Sequence, residues 1–96
     1  MNDCIAVAKN YIEYLQKFPN NANYRVAIVV INKAIDFLHN KKITQPTKEE
    51  LKITIDVIKD MKKSNARTLL DEKEIEAQAR FYKFLVDTFY LNMEGN

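Results

Sequence analysis

The only glycine in this 96-residue chain is Gly95. Backbone positions that demand a glycine, such as the cradle of a phosphate-binding loop, are therefore absent from the body of the sequence. Two-residue hairpins built on Asn-Gly or Asp-Gly turns are likewise unsupported. With two prolines, Pro19 and Pro46, the chain reads as helices joined by a few loops. The residues that commonly carry catalysis are few: one histidine (His39), one cysteine (Cys4), one serine (Ser64) and no tryptophan.

Hydrophobic residues make up 47% and charged residues 29%, the balance of an ordinary globular domain rather than a disordered segment. The formal charge of +2 is too mild to imply nucleic acid, but its distribution is uneven. Residues 1–40 carry +1, residues 41–67 carry +4 and residues 68–96 carry −3. Such a split suits helix pairing and permits association between copies. A lone cysteine forms no internal disulfide. Asp3, Lys9, Glu13 and Lys17 interrupt any signal-type apolar core, and the longest apolar run, Val26 to Ile31, is too short to span a bilayer. The expectation is one cytoplasmic domain over 1–96, without membrane insertion. Abundant Lys, Asn, Ile, Tyr and Phe, all with AT-rich codons, hint at an AT-rich source such as a phage or other mobile element.

Helical periodicity appears in four segments, 3–18, 24–39, 48–63 and 72–92. In the first, Cys4, Ile5, Val7, Ala8, Tyr11, Ile12, Tyr14, Leu15 and Phe18 fill the apolar half of the wheel, and Pro19 with Asn20 and Asn21 ends it. The second is apolar over most of its circumference, which places it centrally against two or more neighbours. The third opens at Thr47-x-x-Glu50, a capping-box pattern after Pro46. Leu51, Ile53, Ile55 and Val57 also alternate as a strand would, and the cap decides for helix. The fourth starts near Asp71-x-x-Glu74, and the shape of 64–71 is left open. In it Ile75, Ala79, Tyr82, Val86, Phe89 and Met93 form a seam suited to antiparallel packing. The fold expected is all-α: a small four-helix domain, as an antiparallel bundle or a less regular orthogonal arrangement.

Candidate sites are few. Lys48, Lys52, Lys59 and Lys63 form a ridge on the third helix, which Lys41 and Lys42 extend. It reads first as a solvated face laced with ion pairs such as Lys52–Asp56, Asp56–Lys59 and Asp60–Lys63, and second as a phosphate-contacting patch. A recognition helix beginning with Asp71, Glu72, Glu74 and Glu76 does not suit a major groove. His39 lacks further ligands for a metal and fits the C-terminal end of the second helix. Cys4 reads as core. The carboxylate pairs Asp56/Asp60 and Glu72/Glu76 lie on outer faces, where nothing separates their environments as acid–base catalysis requires.

One surplus remains. Besides its seam, the fourth helix carries a second apolar stripe of Ala77, Phe81, Phe84 and Leu91. Two stripes mean two packing partners, either two neighbouring helices or one neighbour and a second molecule. Phe81, Phe84 and Leu91 are thus candidates for a protein or homodimer interface centred on Phe84. The function expected is binding of another protein, or of itself, with no catalysis, cofactor or metal. A nucleic-acid-binding regulator using the lysine ridge is the second reading.

Overall fold

The protein is all-α. In a computed structural model describing residues 2–65 and 72–90, the helices are α1 (Asn2–Leu15), α2 (Ala22–Leu38), α3 (Lys48–Asn65) and α4 (Glu72–Leu85). A π-helical turn, Val86–Tyr90, continues α4. No strand occurs among the described residues. The strand alternative for 51–58 fails on the burial pattern. Leu51, Thr54, Val57, Ile58 and Met61 are buried at helical spacing, whereas Ile53 and Ile55, which alternation would group with Leu51, are only half-buried. Residues 66–71, including Asp71 of the expected α4 cap, lie outside the described residues, as do the side chains of Asn2 and Asp3.

Local chemistry sets the boundaries. α1 stops short of Phe18, its last turn tightening through Lys17 N to Tyr14 O (3.2 Å) and Phe18 N to Leu15 O (3.1 Å). Pro19 disfavours helical backbone at Phe18 and sits second in a turn closed by Asn21 N donating to Phe18 O at 3.1 Å. Asn21 then caps α2, its side-chain oxygen accepting from Tyr24 N at 3.1 Å. Arg25 fastens the corner by donating to Pro19 O at 2.7 Å.

The far end of α2 shows how the chain manages without an internal glycine. His39 is the C-cap, as its position suggested, and Asn40 follows with φ of 61°. Asn40 N donates to Phe37 O at 3.0 Å and Lys41 N to Asp36 O at 3.0 Å, the paired bonds of a Schellman motif. Asparagine tolerates the left-handed conformation better than any β-branched or bulky residue, so it stands in for glycine here.

α3 begins with a complete capping box. Thr47 N donates to Glu50 Oε1 at 2.8 Å, and Glu50 N donates to Thr47 Oγ1 at 3.1 Å. Accepting from the Thr47 amide, and secondarily from its hydroxyl, holds the Glu50 carboxyl below its ordinary range. Buried Pro46 and Leu51 occupy the flanking positions of a hydrophobic staple. Thr54, the one fully buried polar side chain among the described residues, satisfies its hydroxyl on Glu50 O at 2.8 Å.

One apolar core draws on all four helices. α2 packs against both α1 and α3, the central place its wide apolar arc implied, and α4 packs against α1. The contribution of α4 reverses expectation. Ala77, Phe81, Leu85 and Phe89 are buried, while Ile75 is 51% exposed and Ala79 is exposed. The expected seam is largely the outer line, and the second stripe is the core line. Residues four apart drift about 40° per step on an α-helix. The π turn takes more residues per revolution, which returns Phe89 to the face already used by Ala77, Phe81 and Leu85.

Candidate functional site

With Phe81 and Leu85 turned inward, α4 presents a second apolar line on its other side. Ile75, Ala79, Tyr82 and Val86 fall within about 60° of one another at 100° per residue. The first two are exposed and the last two half-buried. Tyr82 and Val86, with Ile55 of α3, line a cleft of about 420 Å³ between α3 and the end of α4. Lys48, Lys52, Asp56 and Lys59 of α3 complete its walls. The result is an apolar floor bordered by ammonium groups, continuing along α4 as an open apolar line to Ile75.

The lysines differ from the ion-paired ridge expected of them. Among the described residues Lys48, Lys52 and Lys59 make no ion pair, so neither Lys52–Asp56 nor Asp56–Lys59 forms. Helical spacing permits such pairs, but in water they gain little over hydration and cost side-chain freedom. Three exposed positive charges and one carboxylate therefore border the cleft. Lys41 instead reaches Asp36 of α2 at 3.9 Å, Lys42 is exposed in the loop before α3, and the side chain of Lys63 lies outside the described residues.

The aromatic candidates separate. Phe81 is fully buried, its ring 5.9 Å from that of Tyr11, and so offers nothing to a partner. Phe84 is half-buried, with ring centroids 6.1 Å from Phe37, 6.4 Å from Phe81 and 6.5 Å from Phe89. Its packing is thus mostly within the chain, although Phe37 beside it is 41% exposed. Leu91 and Met93 lie outside the described residues. A second aromatic group, exposed Tyr14 and Phe18 with half-buried Tyr24, clusters at the α1–α2 corner.

A cleft of about 750 Å³ lies between α1 and α4, lined by Val7, Asn10, Tyr11, Lys73, Ala77 and Gln78 among others. Its most unusual member is Tyr11, whose hydroxyl is buried without a hydrogen-bond partner among the described residues. Burial pushes the phenol up to about 12, so it stays neutral and offers no base at ordinary pH. Because the oxygen itself is enclosed, it does not serve the open cleft beside it. Cys4 is buried and unpaired. No group of three or more metal-ligating side chains gathers among the described residues. No described helix is long and apolar enough to cross a membrane.

Sequence reasoning found the lysines and the apolar line but not their meeting. In the sequence Tyr82 and Val86 belong to the packing seam of the fourth helix and Ile55 to an alternating run of the third, and the 4-3-4 spacing of the α4 line is the signal that such a surface exists. No known protein family, curated protein or solved structure matches the chain.

Proposed function

We propose that this protein acts by binding another protein chain, without catalysis, through the outer line of α4 and the lysine-bordered cleft beside it. One observation carries the reading. An apolar line runs along α4 from exposed Ile75 and Ala79 to half-buried Tyr82 and Val86, with Tyr82 resting partly against the core, and three lysines that make no ion pair among the described residues border its C-terminal end. Exposed apolar residues scattered singly mean little, but a line with a charged border resembles the centre and rim of an interface. An inhibitor, an immunity- or antitoxin-type neutraliser, or an assembly adaptor would each work in this way.

The variant Ile75→Asp with Ala79→Asp tests it. Both positions are exposed, so melting should stay close to that of the parent. Capture of the physiological partner, whether another protein or another copy, should be lost. Unchanged capture would reject this face. Nucleic acid is the rival occupant of the lysines, but the apolar floor and Asp56 among them favour protein. Salt-sensitive duplex binding abolished by Lys52→Glu with Lys59→Glu would replace the protein reading with that one.

A further inference from the structure

We propose that the occupant of this face is a second copy of the chain, the two α4 helices pairing antiparallel about a two-fold axis. The inference rests on the docking reading above and names its partner. Its basis is that the outer line carries opposite charges at its two ends. At the start of α4, Glu72 and Glu76 flank exposed Ile75 and Ala79 on the same face. Towards its end, Tyr82 and Val86 share their cleft with Lys48, Lys52 and Lys59. A surface acidic at one end and basic at the other is self-complementary when turned end for end.

Antiparallel pairing sets Ile75 against the Val86 end of the other copy and small Ala79 against bulky Tyr82. The spacing of 75, 79, 82 and 86 is that of a short coiled-coil seam, running about 16 Å along the helix. The same operation brings Glu72 and Glu76 of each copy to the lysines of the other, so every charge contact occurs twice. Such an interface closes on itself and stops at the dimer, whereas a head-to-tail contact would propagate. Glu76 already meets Arg80 at 3.9 Å, but both side chains are largely exposed, so the carboxylate is free to take a second cation at little cost. Asp56 opposes the scheme locally, and the three lysines around it leave that end positive.

Charge reversal with sedimentation equilibrium of the full chain tests the proposal. The parent should pass from monomer to dimer with concentration and dissociate as salt is raised. Lys52→Glu with Lys59→Glu makes both ends acidic, and Glu72→Lys with Glu76→Lys makes both ends basic. Each variant should keep the parent's helical spectrum and melting yet dimerise at least about tenfold more weakly. Mixed in equal amounts, the two should form a heterodimer at near-parental strength. All four substitutions in one chain should restore the homodimer. A parent that stays monomeric, a dimer indifferent to both reversals, or assembly continuing past the dimer would each overturn the proposal. If the parent is monomeric and its capture of a different protein is lost in Ile75→Asp with Ala79→Asp, self-pairing fails and the docking reading stands. If capture is also unaffected, both fail together.

Discussion

The two apolar lines of α4 are close in length and spacing, yet the protein treats them oppositely. The inner line, Ala77, Phe81, Leu85 and Phe89, is buried throughout. The outer one, Ile75, Ala79, Tyr82 and Val86, runs from exposed positions to a half-buried cleft wall. By the hydrophobic pattern alone the outer line looks the better seam, because its 4-3-4 steps stay on one face of an α-helix. The inner line steps by four throughout and should drift away from its partner, but the π turn, Val86–Tyr90, turns the drift back over the last step, from Leu85 to Phe89. The two phenylalanines of the inner line outweigh the one aromatic residue of the outer, Tyr82, and burying aromatic area contributes most per residue. What an ideal helix wheel conceals is that the helix itself can change pitch to keep the larger side chains inside.

Truncation measures the contrast at its widest. Phe81→Ala should cost roughly 3–5 kcal/mol by chemical denaturation, since it leaves a cavity beside Tyr11. Ile75→Ala on the outer line should stay within about 0.5 kcal/mol. Comparable losses at the two positions would erase the distinction between the faces.

Phe84 sits at the edge of the inner line, so Phe84→Glu asks how far the core extends. Its three neighbouring rings predict a loss of about 2–3 kcal/mol, set by removed packing and a carboxylate forced into apolar surroundings. A variant that melts like the parent would return Phe84 to the outer surface.

Smaller effects concern the elements that hold the two faces in place. Thr47→Ala removes half of the capping box that fixes the start of α3, and with it the placement of the lysines; a loss of about 1 kcal/mol should follow. The cap also has a pH signature. Glu50 is held below its ordinary carboxylate range, so its contribution is present above that range and disappears as pH falls through the folded-state value. Glu50→Gln, which removes the titrating group, should therefore flatten the acid limb of a stability profile, and an unchanged limb would show the cap to be idle.

Tyr11, which supports the inner line through Phe81, should give the smallest shift. Its hydroxyl is buried without a described partner, so Tyr11→Phe should leave stability unchanged or raise it by up to about 1 kcal/mol. The phenol is pushed up to about 12 from an ordinary 10. Its contribution is therefore complete below pH 10 and declines as pH climbs towards 12, because the unfolded chain ionises first. Loss of that alkaline decline in Tyr11→Phe is the expected result. A marked destabilisation would mean that the hydroxyl has a partner.

Much of this fold was legible in the sequence, and the failures are local. The capping box at Thr47 and Glu50 names both its donors and its acceptors, so the start of α3 is fixed by four residues. The wide apolar arc of α2 required neighbours on two sides, and α1 and α3 supply them. α1 was read too long because its periodicity runs on through Phe18, whereas Pro19 imposes a turn that periodicity does not register. The faces of α4 were exchanged for a different reason: which stripe turns inward depends on side-chain volumes across the whole core and on the π turn, neither of which is local. The cleft was illegible because it joins α3 to α4 across a connection whose length says nothing about register. Its lysines were visible, and their lack of ion pairs was not.

Thiol labelling of Ala79→Cys is the most direct measurement of the claim that the outer line of α4 is a docking face for a second copy. The native Cys4 is buried, so the introduced thiol reports on that face nearly alone. It should react quickly with a maleimide in dilute solution and several-fold more slowly as parent chain is added, while a Lys9→Cys control on the exposed side of α1 keeps one rate throughout. Labelling at position 79 that ignores added chain at every concentration would contradict the account.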